Sequence, residues 1–73
     1  MEFDLRIIRA LLDLSQEELA QDLGITRVSI SNLERGKVSI TKVYKMAIGY
    51  LVEHKYCDIP PERSKLIREM LED

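Results

Sequence analysis

Apolar residues recur every three or four positions along most of this chain, the spacing that places side chains on one face of an α-helix. The first stripe predicts a helix over residues 3–12, with Arg6 and Arg9 on its outer side. Its inner face carries Phe3, Ile7 or Ile8, Leu11, Leu12 and Leu14. Strand-like alternation occurs only at residues 38–40 and is too brief to predict a strand, so the pattern indicates an all-α fold.

A second helix is marked by the residues that begin and end it. Ser15 followed three places later by Glu18 is a capping box, in which both side chains satisfy backbone donors, so the helix begins at Gln16. Gly24 ends it, because glycine adopts the left-handed conformation without a steric penalty. The buried face consists of Leu19, Ala20 and Leu23.

A third helix follows after a very short turn. Thr26 is the predicted cap of a helix over residues 27–34, and Gly36 ends it. The inner side carries Val28 or Ser29, together with Ile30 and Leu33. Residues three and four places apart share a side of a helix, so an outward face is also predicted. That face consists of Arg27, Val28, Ser31 and Asn32.

Two further helices complete the pattern. Ser39 is the predicted cap of a fourth helix, whose core stripe consists of Ile40, Val43, Met46, Ala47, Tyr50 and Leu51. Prolines 60 and 61 suit the start of a helix and not its interior, so a fifth helix is expected at about residues 61–71. One side of this helix carries Leu66, Ile67, Met70 and Leu71.

The apolar side of the fifth helix needs a cover, and 73 residues provide one small domain with a limited core. We expect a four-helix core at residues 1–53, a connector at 54–60 and a C-terminal helix at 61–73 that joins two copies into a homodimer. One alternative is that this helix folds back onto the first and fourth helices of its own chain. Another is that its apolar residues are shared between the two surfaces.

Composition and charge indicate where the protein is located and how its charge is distributed. No apolar run is long enough to cross a bilayer, and residues 1–4 do not resemble a secretory signal, so no membrane association is expected. The single cysteine, Cys57, cannot form an intramolecular disulfide, which suits a cytoplasmic location. The formal charge is -2, but residues 25–45 contain five Lys and Arg against Glu34 alone, so this segment carries +4. A basic face on an acidic molecule is therefore expected.

The second and third helices together have the spacing of a helix-turn-helix. Ala20 allows the next helix to cross closely, Gly24 permits a sharp turn, and Ile30 and Leu33 anchor the third helix on the second. The outward residue types suit the major groove of DNA. Arginine can donate two hydrogen bonds to guanine, asparagine can pair with adenine, and valine can contact a thymine methyl group.

The stretch "SQEELAQDLGITRVSISNLERGK" resembles the helix-turn-helix of the phage repressor and Cro family, also called the xenobiotic-response-element (XRE) regulators. The resemblance covers about residues 5–51. It implies a compact five-helix, lambda-repressor-like fold and a sequence-specific regulator of transcription that binds double-stranded DNA, usually as a homodimer. The positions that match are Gln16, Glu18, Leu19, Ala20, Gly24, Ile30, Glu34, Gly36 and Lys37.

The resemblance also implies roles for individual residues. It assigns base contacts to Arg27, Val28 and Asn32, with Ser31 beside them, and phosphate contacts to Gln16, Thr26, Arg35 and Lys37. Two segments depart from the family pattern. The stretch "SITKVYKMA" has no proline before the fourth helix, and residues 50–73 match no family signature.

Other chemistry has little support in the sequence. His54, Cys57 and Asp58 lack the second pair of ligands that structural zinc requires, so neither a metal nor another cofactor is expected. One histidine and one cysteine supply no set of nucleophile, base and orienting group, so no enzymatic activity is expected. Glu34 is expected to pair with Arg35 or another nearby cation, or to orient a side chain.

Two functions fit these observations. The first is a transcriptional regulator, a repressor that binds a pseudo-palindromic operator as a homodimer. The second is an antitoxin-like module that binds a partner protein through its last helix and regulates its own operon by binding DNA.

Overall fold

Five helices follow one another in a computed structural model that describes residues 2–72. They are α1 (Leu5–Leu11), α2 (Gln16–Leu23), α3 (Arg27–Glu34), α4 (Lys42–His54) and α5 (Pro61–Leu71). Residues 2–72 include no strand, which confirms the all-α prediction. The predicted single domain also includes Met1 and Asp73, which lie outside the described residues.

Side chains at the start of four of these helices, α1 to α4, satisfy backbone donors that have no partner within the helix. The capping box of α2 is confirmed, since Ser15 Oγ accepts from the backbone of Glu18 at 3.1 Å and Glu18 Oε1 accepts from the backbone of Ser15 at 2.9 Å. The hydrogen bond from the Ser15 backbone lowers the pKa of Glu18. Thr26 caps α3 as predicted, and Asp4 caps α1, whose start the sequence placed slightly too early.

Sharp reversals end the first three helices. Gly24 and Gly36 have φ values of 71° and 75°, and Asp13 has a φ of 59°. At the end of α2, the Ile25 amide donates to the Ala20 carbonyl at 3.0 Å, which satisfies a carbonyl that the helix leaves open. Because each turn reverses the chain within a few residues, α1, α2 and α3 are brought close together.

A single hydrophobic core holds the five helices. Its most enclosed large side chains come from every helix, and they are Ile8, Leu19, Ile30, Ile48, Ile67 and Met70. Helix α3 packs on α2 and α1, whereas α4 packs on α2 and α5. None of the helices in residues 2–72 combines the length and apolar character needed to span a bilayer.

The predicted core face of α4 is wrong in large part. Thr41, and not Ser39, caps the helix, with Thr41 Oγ1 accepting from the backbone of Tyr44 at 3.3 Å. The buried residues are Ile48, Leu51 and Val52. Three members of the predicted stripe are instead exposed, namely Val43 at 73%, Met46 at 65% and Tyr50 at 63%. Apolar residues occur on both sides of this helix, so the pattern alone did not identify the side that meets the core.

Helix α5 folds back onto α1 and α4 of its own chain. Ile67 and Met70 are fully buried there, so the prediction that they join two copies is wrong for these two residues. Their side chains cover the end of a core that α1 and α4 leave open. Leu66 is 37% exposed, and Leu71 is partly buried against the core. The predicted homodimer therefore needs another surface.

A polar contact links α2 to the segment after α4. Both Lys55 Nζ and the Tyr56 hydroxyl donate to the Asp22 carboxylate, whose side chain is only 7% exposed. Burial raises the pKa of Asp22, but the hydrogen bonds from Lys55 and Tyr56 outweigh that effect and hold the pKa below its usual value. Burial and the hydrogen bond to Asp22 raise the pKa of Tyr56. The charged carboxylate therefore stabilises the folded chain.

We expect Asp22→Asn to lower the free energy of unfolding at pH 7 by about 1–3 kcal/mol, as for a hydrogen-bonded charged group. The folded pKa of Asp22 lies below its ordinary value of 3.8. The stability that charged Asp22 gives the wild-type chain is therefore fully present above about pH 4, and it declines as pH falls through the lower folded value. The difference between the wild type and the variant should decline with it. Urea unfolding measured from pH 7 down to pH 3 tests this. Exposed Asp58→Asn is the control, and equal effects of the two substitutions at pH 7 would contradict the prediction.

Candidate nucleic-acid interface

Helix α3 is held against the rest of the molecule by one side only. Ile30 is fully buried, and Leu33 packs against the core. Helices α2 and α3 pack against one another, and Ala20 on α2 is 3% exposed, a small buried side chain of the kind that allows helices to approach closely. Ile30 and Leu33 thus lie on the inner side of α3, as predicted, and this packing determines which side of α3 faces solvent.

The opposite side of α3 presents the predicted base-reading residues. Arg27 is exposed, Val28 is 62% exposed, and Ser31 and Asn32 are half-buried. Val28 therefore faces outward, while Ser29 is half-buried and donates its backbone amide to Thr26 Oγ1 at 3.1 Å. The structure brings together on one short helix a guanidinium, a carboxamide, a hydroxyl and a methyl surface. These are groups that can contact base edges in the major groove.

The carboxylate of Glu34 lies at the junction of α1, α2 and α3. Its side chain is only 4% exposed, and Arg9 Nε donates to Glu34 Oε2 at 2.7 Å. Arg9 also donates to the Leu14 carbonyl at 3.0 Å. The ion-pair partner of Glu34 is thus Arg9, whose side chain is 25% exposed, so the placement of Arg9 on the outer side of α1 was wrong.

Gln16 extends this network to the exposed face of α3. Its Nε2 donates to Glu34 Oε1 at 2.9 Å, and its Oε1 accepts from Arg27 at 3.5 Å. Both polar ends of the Gln16 side chain are therefore occupied within the protein. Its backbone amide is the first of α2, where a helix supplies no acceptor. A series of hydrogen bonds through Glu34 and Gln16 thus connects partly buried Arg9 to exposed Arg27.

The turn after α3 carries the other predicted phosphate-contacting residues. Arg35 and Lys37 are exposed, and the Lys37 amide donates to the Asn32 carbonyl at 3.0 Å. This bond ties the turn to α3. Glu34 is the one acid in residues 25–45, and it points inward against Arg9. The outer surface of this segment is accordingly more basic than a count of charges along the sequence suggests.

Sequence reasoning missed Arg9 as a contributor to this site. Twenty-five residues separate it from Glu34, and no periodicity within α1 relates the two. The only available signal was Glu34 itself, an acid isolated among cations. His54, Cys57 and Asp58 are all exposed, and residues 2–72 contain no cluster of three or more His, Cys, Asp or Glu residues that could hold a metal ion.

The packing of α2 and α3, the tight turn at Gly24 and the outward polar face of α3 define a helix-turn-helix DNA-binding domain. A family model described as "Helix-turn-helix" matches residues 5–56. The chain belongs to this family and, within it, to the Cro/CI-like XRE type, whose members are DNA-binding regulators of transcription. Neither a curated protein nor a solved structure shows a significant match. All of α5 lies beyond the matched residues.

We expect Glu34→Gln to lower the free energy of unfolding by about 2 kcal/mol, since it leaves partly buried Arg9 without its counter-charge. The new amide also presents a donor to groups that already donate, Arg9 and Gln16. Urea denaturation measures the change. Glu17→Gln, at an exposed position of α2, is the matched control, and a similar stability for the two variants would contradict this role of Glu34.

Proposed function

We propose that this chain is a transcriptional repressor that binds a pseudo-palindromic operator as a homodimer, with α3 in the major groove. The observation that carries the proposal is the orientation of α3, whose inner side is buried through Ile30 while Arg27 and Val28 are exposed and Asn32 is half-buried. A bound repressor of this size excludes other proteins from promoter DNA by occupying it. It acts in the cytoplasm, where a bacterial or phage operator is accessible.

Base recognition rests on Arg27 and Asn32, with Val28 and Ser31 beside them. Arg27 lies at the first position of α3, so its long side chain can reach a guanine edge ahead of the helix. Asn32 follows five residues later and suits an adenine edge, while exposed Val28 can pack on a thymine methyl group. The hydrogen bond between Gln16 and Arg27 limits the orientations that the guanidinium takes before binding.

Phosphate contacts come from both ends of the helix-turn-helix. At the start of α2, the backbone amide of Gln16 suits an anionic oxygen because the helix dipole favours negative charge there. Thr26 is exposed at the start of α3 and offers a hydroxyl. After α3, Arg35 and Lys37 supply positive charge. Such contacts position the reading helix without selecting a sequence.

The small size of the reading surface favours binding by two copies of the chain. An eight-residue α3 covers only a few base pairs, so one chain alone discriminates weakly between sequences. Two copies related by a two-fold axis place their reading helices in successive major grooves, about 34 Å apart. The operator then shares the symmetry of the protein.

We expect Arg27→Ala and Asn32→Ala each to weaken binding to the preferred operator by about 1–3 kcal/mol, because each removes base-edge contacts. Binding to unrelated DNA should change little. The preferred site is first selected from a random pool of duplexes, and each variant is then measured on that site and on single-base variants of it. Exposed Gln21→Ala is the control on the outer side of α2. Unaltered base preference in both α3 variants would contradict the assignment of α3 as the reading helix.

Replacing Arg35 or Lys37 with glutamine should have a different effect. Each change removes one cation near phosphate, so binding should weaken on all sequences and the slope of log affinity against log salt should fall by about one unit. Specificity ratios should be preserved. Lys65→Gln, on α5, is the matched control for the loss of one positive charge. If the salt slope for both variants equals that of the control, neither Arg35 nor Lys37 contacts DNA.

A further inference from the structure

One side of α4 is apolar and faces solvent. Val43, Met46 and Tyr50 are each more than 60% exposed, and they are spaced as neighbours along one side of the helix. The opposite side of α4 carries Ile48, Leu51 and Val52 and is buried in the core. Helix α4 therefore has two apolar sides, of which the chain itself covers one. We call the exposed residues Val43, Met46 and Tyr50 the α4 stripe.

Charges at the two ends of the α4 stripe have opposite sign. Lys42 begins the helix and Glu53 lies eleven residues later, which is just over three full turns, so both flank Met46 on the same side. Both residues are exposed. At the end near Glu53, the rings of Tyr50 and His54 lie 4.3 Å apart, so Tyr50 is supported by a neighbouring aromatic ring.

We propose that the α4 stripe is the surface through which two copies of this chain associate, with the two α4 helices antiparallel. In this arrangement a two-fold axis passes near the middle of the helix, so each contact occurs twice. Met46 then meets Met46 of the second copy, and Val43 lies near Tyr50 of the other chain. The inference rests on the proposed function, which requires a second copy to cover two half-sites.

The charges select the antiparallel arrangement. When the helices are antiparallel, Lys42 of each copy lies opposite Glu53 of the other. A parallel pair would instead place Lys42 against Lys42 and Glu53 against Glu53. Exposed ion pairs contribute little affinity, so burial of the α4 stripe supplies the attraction and the charges determine the relative orientation.

This surface replaces the one predicted on α5. Ile67 and Met70 are enclosed in the core of one chain and cannot contact another copy without unfolding. Leu66 is the most exposed apolar residue of α5, at 37%, and is much less exposed than any member of the α4 stripe. Met46→Lys changes an exposed residue and leaves the core intact, so dissociation can be distinguished from unfolding. Substitutions at Ile67 or Met70 do not allow that distinction, because both residues are buried.

Sedimentation equilibrium of the whole chain without DNA tests the proposal. The wild-type chain should form a dimer at micromolar concentration, and Met46→Lys should raise the dimer dissociation constant at least tenfold while thermal unfolding and helix content remain those of a folded chain. Leu66→Lys, which adds the same charge on α5, should dimerise like the wild type. A wild type that is monomeric at 100 micromolar (about a hundredfold above a micromolar dissociation constant), or dimers lost in Leu66→Lys but kept in Met46→Lys, would overturn the proposal.

A charge exchange tests the antiparallel orientation independently of apolar packing. Lys42→Glu and Glu53→Lys should each weaken the dimer, since each places like charges opposite one another, and the double variant should restore it. Failure of the double variant to restore association would overturn the antiparallel arrangement. These measurements use no DNA, so they are separate from the proposed function. If the wild-type chain does not associate through the α4 stripe but the α3 variants alter base preference as expected, this inference alone is rejected. Unaltered base preference in the α3 variants would instead reject the proposed function.

Discussion

The enclosed carboxylate of Glu34 constrains the whole DNA-facing part of the molecule. It lies where α1, α2 and α3 meet, and it must be matched there because a buried charge without partners is costly. Arg9 supplies the counter-charge and Gln16 supplies a further donor. Three helices are thereby held in one relative orientation, and the same Gln16 side chain also contacts Arg27 at the start of α3. An electrostatic requirement inside the protein thus determines geometry at its surface.

The packing around α2 and α3 differs from the packing around α4 and α5. Around α2 and α3, a small residue, Ala20, and a fully buried one, Ile30, allow close contact, and the helices are short and sharply capped. Around α4 and α5, closure of the core depends on large side chains, including Ile48, Ile67 and Met70. The first region presents polar groups to a ligand. The second leaves the α4 stripe uncovered, which is the feature that a second copy of the chain would bury.

The distribution of charge accounts for a DNA-binding role in a chain of net charge -2. The cations that follow α3 lie on the surface, whereas Glu34, the acid nearest to them in sequence, is turned inward against Arg9. Asp22 is likewise enclosed, between Lys55 and Tyr56. Burial of particular acids changes the potential of a surface without changing the composition of the chain.

The sequence by itself determined the helix-turn-helix, because the residues that begin and end its helices act locally. Ser15 with Glu18, Gly24 and Thr26 act on backbone groups within a few residues, so their effects could be read before any packing was known. The tertiary structure alone decided the partner of Glu34, the side of α4 that meets the core and the position of α5. These features depend on contacts between residues far apart in the chain. Helix α4 has apolar residues on both sides, so periodicity alone could not predict which side is buried in the core of this chain.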